Sequence, residues 1–231
     1  MTSSAPGLAT AAKSKLFAGL GESVLKDILC AAKVHRIAPK TNVTENGGRP
    51  DNMFLLQAGR VRSYILTESG SEVLLLWIVP GDIIVLVSLL ANPPNYMASA
   101  TTVTESEFLV WDHITIRRLA ETYPLLTENG FRLALNYLGH FFKRHTNIVT
   151  KTAESRLAHA LIQLATDAGE VQPSGVAIDI TNEQLGSLSD ISPFTASRLL
   201  SKWERDGMLS KQRGRVTLLA PESLMTAEVN E

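Results

Sequence analysis

Thr195, Arg198 and Lys202 recur at spacings of three and four residues, and Leu199, Leu200 and Trp203 fall between them at the same helical rhythm. At 3.6 residues per turn, one helix then carries a polar, basic front and an apolar back. Hydroxyl, guanidinium and ammonium groups on one face can hold phosphate oxygens and base edges. The chemistry on offer is hydrogen bonding to DNA, not bond breaking. More such groups follow in KQRGR, where Lys211, Gln212, Arg213 and Arg215 surround Gly214.

The helix carrying that front has clear limits. Ser192 can cap it, Pro193 stands at the first helical position, where a missing N–H costs nothing, and Gly207 ends it. Upstream, Thr181 and Gln184 are spaced as a capping box for a short first helix with apolar Leu185 and Leu188. Ser189 and Asp190 break its period, and Ile191 turns back to the core. Residues 180–209 therefore read as two short helices joined by a tight turn, followed by a two-stranded wing around Arg213 and Gly214. Thr181, Ser192, Phe194, Thr195, Ser197, Arg198, Lys202, Lys211 and Arg213 are the candidate DNA-binding residues.

Between residues 192 and 215 six basic side chains stand against Glu204 and Asp206, although the 231-residue chain has a formal net charge of -1. DNA affinity follows local phosphate neutralisation, so a compact basic face suffices; the alternative is a solvated charged helix. At 45% apolar residues the chain can bury a sizeable core, and its length and pattern suit two modest domains. Cys30 is the sole cysteine. That excludes an intrachain disulfide and any four-thiolate zinc or iron–sulfur site, and fits a reducing cytoplasm. The start of the chain lacks a signal-peptide core, and no run reaches the ~18 apolar residues of a membrane span. A cytoplasmic protein with no membrane partner is expected. Without a phosphate-binding Gly-Lys-Ser/Thr loop or a metal-spaced His/Glu pair, an enzyme is not.

The elements that must position the basic front lie upstream. After a flexible stretch at 1–15, LFAGLGESVLKDILCAAKVHRI predicts one or two short helices. Strands bounded by turns then follow in MFLLQAG, RVRSYIL, SEVLLLWIVPGD and ASATTVTESEFLVWD, an all-β barrel or sandwich within 16–122. Over 123–150 the period becomes helical. Phe131, Leu135, Leu138, Phe142, His145 and Val149 alternate spacings of four and three, a two-stranded coiled-coil seam about 40 Å long at 1.5 Å per residue. That predicts a dimerisation helix, the alternative being intramolecular core; Leu133, Tyr137 and Phe141 form a second edge that can pack on the strands. Thr152 caps the next helix, ESRLAHALIQLATDAG, at a hinge into 151–222, and 223–231 reads as a tail.

This order of modules resembles the cyclic-AMP receptor and fumarate–nitrate regulator (Crp/Fnr) superfamily of bacterial transcription factors. The resemblance runs from Leu16 to about Leu219. LFAGL, LLQAGRVRSYILTESGSEVLLLWIVPGD, ESRLAHAL and ITNEQLGSLSDISPFTASRLLSKWERDGML carry it. It implies an α+β fold: an N-terminal cyclic-nucleotide-binding-like β-roll (jelly roll), a long dimerisation helix and a C-terminal winged helix-turn-helix. It also implies a homodimer on inverted-repeat DNA, with RNA polymerase as a further partner if the protein activates. Ser197 and Arg198 match the serine or glycine followed by arginine that the family carries mid recognition helix, and Thr195 a backbone-contacting threonine. Arg198 is the first choice for a base contact, because guanidinium can bridge O6 and N7 of guanine. Where many relatives carry arginine and glutamate, this chain has Pro193 and Phe194. Phe194 could meet a thymine methyl or pack against the wing or first helix.

The ligand pocket departs further from the family. Cyclic-nucleotide members follow the PGD turn with a glycine–glutamate pair for the ribose and an arginine–serine or arginine–threonine pair for the phosphate. Here the counterparts are Val85-Leu86 and Tyr96-Met97, and the long helix offers Phe141 and Phe142. None can neutralise a buried phosphate, so cyclic AMP is not the expected effector. Val85, Leu86, Tyr96, Met97 and Phe141 are left as an apolar pocket for an unknown small molecule, or as filled core. No cofactor is expected. Haem, through His35, His113, His140 or His145, stays an alternative, as does a sensor whose C-terminal module serves protein contacts.

Overall fold

The computed structural model describes residues 7–68, 70, 72–221 and 224, and only the backbone of Arg144, His145, Asp167 and residues 147–150. The chain divides into two compact units, one reaching to Ile65 and including Leu76–His140, the other comprising Leu66–Leu75 and the chain from Phe141. In chain order the first part holds α1 (Leu8–Ala11), a 3-10 turn (Lys15–Phe17), α2 (Glu22–Cys30), β1 (Lys33–Ile37), β2 (Asn42–Thr44), β3 (Asn52–Ala58), β4 (Val61–Leu66), β5 (Glu72–Ile78), β6 (Ile83–Ile84), β7 (Ser99–Thr102), β8 (Ser106–Asp112), α3 (His113–Thr122) and α4 (Leu125–Thr150).

The strands form two four-stranded sheets, ordered β1-β8-β3-β6 and β2-β7-β4-β5. The central strands of the first sheet, β3 and β8, carry unbroken apolar runs at 53–56 and 108–111, where both their faces are buried. Phe54, Leu56, Phe108 and Val110 meet Val61 and Ala100 of the second sheet. Their alternate neighbours Met53, Leu55, Leu109 and Trp111 meet Ile28, Leu29, Ile116, Leu126 and Leu133 from the helices. Trp111 Nε1 donates to the Ile28 carbonyl (2.8 Å), so even the indole is satisfied. Asn129, buried in α4, donates to the carbonyls of Leu16 (2.9 Å) and Ala18 (2.8 Å) and ties the 3-10 turn to the long helix.

Several expectations change here. KVHRI is strand β1, paired in register with β8 from Lys33 opposite Val110 to Ile37 opposite Ser106. The sequence after β8 is already helical in α3, because Asp112 caps it: its carboxylate accepts from the Thr115 N–H (2.8 Å) and hydroxyl (3.0 Å), which holds it below the ordinary carboxylate range. Residues 7–15 are not a free start. Ala11 is fully buried and Ser14 nearly so, packed where the core needs apolar cover; residues 1–6 lie outside the described ones. At the other end Leu224 is buried, and 225–231 are likewise outside.

Helix α4 keeps its two edges, with one change. Leu133 is buried and Tyr137 half-buried, its phenol pushed up to about 12 by burial and, secondarily, by Asp82. Phe141, expected to continue that edge, is 41% exposed. The seam residues Phe131, Leu135, Leu138 and Phe142 are 66%, 50%, 46% and 64% exposed; the side chains of His145 and Val149 lie outside the described residues.

The second unit continues with α5 (Ala153–Ala168), β9 (Glu170–Gln172), β10 (Gly175–Asp179), α6 (Asn182–Ser189), α7 (Pro193–Arg205), β11 (Leu209–Gln212) and β12 (Arg215–Leu218). Its sheet has the order β11-β12-β10-β9, with β11 and β12 paired antiparallel as the expected wing. Leu157 and Leu161 of α5, Leu185 of α6, Leu199, Leu200 and Trp203 of α7, and Val216 and Leu218 of β12 are its buried core.

Candidate nucleic-acid interface

Helix α6 opens on the expected capping box: the Gln184 N–H donates to Thr181 Oγ1 (3.3 Å) and the Thr181 N–H to Gln184 Oε1 (3.0 Å). It closes on Asp190, which adopts the left-handed conformation at φ 53°. At Gly186 a Cβ would lie 2.8 Å from the Ile191 carbonyl oxygen. The chain therefore turns tightly against the helix it has just left.

Arg156 of α5 grips this turn. Its guanidinium donates to the carbonyls of Ser189 (2.8 Å), Asp190 (2.9 Å) and Lys151 (3.0 Å), a planar fork reading three acceptors at once. The C-terminal carbonyls of a helix need such donors. Sequence reading placed Arg156 in a motif but gave it no role, because its partners are backbone atoms 33 and 34 residues away.

Helix α7 then begins on Ser192, whose Oγ accepts from the Thr195 N–H (3.0 Å) and lies 2.9 Å from the Thr195 hydroxyl. Pro193 occupies the first turn. Leu199, Leu200 and Trp203 are buried, and the residues about 180° away at 100° per residue are Phe194, Arg198 and Arg205, all exposed. Ser197 and Thr195 flank that line, each half-buried. Phe194 is 79% exposed, so it packs on neither the wing nor the first helix.

The basic residues divide into two sets. Lys202 Nζ lies 2.8 Å from Glu154 Oε1, the same oxygen that accepts from Trp203 Nε1 (3.1 Å); that hydrogen bond holds the ammonium above its usual pKa. Lys211 is paired with Glu204 (3.7 Å) and donates to Ser201 Oγ. Arg215 is paired with Asp179 (2.6 Å) and Glu170 (3.4 Å). Arg198, Arg205 and Arg213 have no carboxylate partner among the described residues, and all three are exposed. The structure thus brings Phe194, Thr195, Ser197 and Arg198 to one front with Ser192 at its start and Arg213 on the wing. Thr181 is held as a cap, and Lys202 and Lys211 are held by carboxylates. Arg205, counted in the charge but not among the candidate contacts, joins the front.

Sequence comparison agrees with this geometry. Residues 155–227 match the family model of the Crp-like helix-turn-helix domain, and residues 34–123 that of the cyclic nucleotide-binding domain. The chain belongs to the Crp/Fnr superfamily of transcription regulators. It is 22% identical over 190 residues to the cAMP-activated global transcriptional regulator CRP of Salmonella typhimurium, covering 82% of this chain and 90% of that one. It is 24% identical over 179 residues to the fumarate and nitrate reduction regulatory protein of Vibrio cholerae, covering 75% and 70%. Its fold matches the c-di-GMP responsive global regulator CLP of Xanthomonas campestris at a TM-score of 0.73 and 17% identity, covering 86% of this chain and 99% of that one.

In this Crp/Fnr regulator the proposed pocket residues of the first unit have separate partners. Val85, in the left-handed conformation at φ 68°, packs on the core between the sheets, and Leu86 on the core beneath the helices. Left-handed geometry is costly for a β-branched residue; it stands where nucleotide-binding relatives are expected to carry glycine. Tyr96 exchanges backbone hydrogen bonds with Gly47 and Gly48, and Met97 is 75% exposed. Phe141 falls in the second unit. Of the histidines, His113 has its ring Nε2 2.9 Å from the Leu90 carbonyl, and His35 and His140 are exposed. Among the described residues no group of three or more metal-ligating side chains forms, and no helix is long and apolar enough to cross a membrane.

Replacing Arg156 with Leu leaves three carbonyls without their donor. It is expected to lower unfolding stability by about 2 kcal/mol and to weaken DNA binding, although Arg156 is not on the α7 front. Urea denaturation followed by circular dichroism measures the first effect; an unchanged midpoint would contradict the role given to this residue.

Proposed function

We propose that this transcription regulator works as a homodimer on an inverted-repeat DNA site, α7 entering the major groove, and that it does not answer to cyclic AMP. The observation that carries the reading is Arg198. It is exposed, opposite the buried back of α7, and free of any carboxylate among the described residues. An uncommitted guanidinium on a recognition helix suits the paired acceptors of guanine.

Dimerisation is supported by the row Phe131, Leu135, Leu138 and Phe142, each about half exposed or more on one helix at coiled-coil spacing. Two copies joined along it would present two recognition helices, as a two-fold symmetric operator requires. Independence from cyclic AMP is supported by Val85, Leu86, Tyr96 and Met97, none of which can offset a phosphate charge. The named activity of the CRP relative is therefore carried over as far as DNA binding and no further.

Three results are expected. Duplexes selected from a random pool by the wild-type protein should share an inverted repeat, and Arg198→Ala should bind that repeat about 5- to 150-fold more weakly, the ~1–3 kcal/mol of a bidentate base contact; unchanged site selection by the variant would overturn the assignment. Sedimentation at micromolar concentration should give a dimer for the wild type and a monomer for Leu138→Glu, whereas a monomeric wild type would rule out the seam. Titration calorimetry with cyclic AMP should register no binding, and micromolar affinity would refute the pocket reading.

A further inference from the structure

We propose that Phe194 is a base-reading residue that selects thymine, through its C5-methyl group, within two base pairs of the guanine taken by Arg198. The inference rests on the DNA-binding reading above and adds to it the chemistry of a second recognised base.

Phe194 is 79% exposed on the first turn of α7. Burial of the ring against the protein would be favourable by roughly 1.5–3 kcal/mol, yet the backbone directs it away from every core residue of its own helix. Four residues separate it from Arg198, so the two side chains are neighbours on one face. One helical turn rises 5.4 Å, against a spacing of about 3.4 Å between base pairs. Contacts from the two residues therefore fall one or two base pairs apart.

The backbone that carries the ring is held in place before DNA arrives. Ser192 holds the Thr195 N–H and hydroxyl on one side of it, Pro193 sets the preceding backbone, and Arg156 pins the turn below. Little backbone freedom is left to lose on binding.

Phenylalanine has no donor or acceptor, and this decides which base it can tolerate. Cytosine presents an amino donor in the major groove, adenine a donor and an acceptor, and guanine two acceptors. Each of these would be stripped of water without a replacement partner. Thymine also carries an acceptor, O4, but it alone presents an apolar group, its C5-methyl, which a flat aromatic ring can cover while leaving O4 to water. A glutamate at this position would do the reverse and favour the cytosine amino group.

The test uses the full-length dimer and the selected operator with each thymine replaced in turn by deoxyuridine, which removes the methyl and nothing else. One thymine per half-site, within two base pairs of the Arg198-dependent guanine, should show about fourfold weaker binding on losing its methyl, as expected for one buried carbon. Phe194→Ala should bind the two duplexes equally, and Phe194→Glu should favour cytosine there. Equal affinity of the wild type for every deoxyuridine duplex would overturn the proposal, whether because the ring wedges between bases or lies off the DNA. So would retained methyl discrimination in Phe194→Ala. Loss of operator binding in Arg198→Ala alongside a null deoxyuridine result would leave DNA reading standing and remove only the thymine contact; selection of no shared site by the wild type would remove both.

Discussion

The grip of Arg156 on the turn between α6 and α7 is the constraint on which the reading surface depends. Asp190 is left-handed and Gly186 has no room for a side chain, so the turn is tight enough to leave the last carbonyls of α6 without helical partners. Two of its carbonyls, those of Ser189 and Asp190, meet one guanidinium, which also takes the Lys151 carbonyl ahead of α5. Because that group is planar and its donors are fixed in angle, it sets the position of the turn as well as its stability. Every residue of α7 inherits its orientation from that turn: Ser192 caps the helix where the turn ends, and α7 packs on α6.

A second layer of control is electrostatic. Glu154 accepts from both Lys202 and Trp203, so a single carboxylate fixes the C-terminal half of α7 against the start of α5. Glu204 ties the wing to α7 through the Lys211 side chain and through its backbone N–H (3.0 Å). Asp179 and Glu170 hold Arg215 across the sheet. These pairs are partly exposed, and isolated surface pairs add little to stability. Their effect here is geometric, since each joins two elements whose relative placement decides which side chains can reach a groove.

The capping box of α6, the Ser192 cap, Pro193, the wing and the apolar back of α7 were all legible in the sequence because each is written within a span of a few residues. The same holds for the α4 seam, whose period survives in an exposed row. What sequence could not supply was pairing at long range. KVHRI has no strong period and becomes a strand only because β8 lies beside it. Lys202 and Lys211 counted as free charge until Glu154, 48 residues from Lys202, and Glu204 were found against them. Val85 and Leu86 are adjacent in the chain, yet pack on separate cores; adjacency at a turn says nothing about a shared wall. Phe194 had two readings from sequence, and exposure separates them.

Pairing half of the basic residues also shapes how the protein can discriminate. Phosphate contacts supply affinity for any sequence, and specificity is the ratio of operator binding to that background. Holding Lys202, Lys211 and Arg215 on carboxylates lowers the charge available to arbitrary DNA without touching the line formed by Phe194, Arg198 and Arg205. On the reading proposed above, a front that sets an apolar ring beside guanidinium forks gains from the correct bases and is penalised by incorrect ones, since a desolvated amino or carbonyl edge finds no partner on the ring. With three of the six basic side chains so held, the proposed reading places the weight of recognition on base edges.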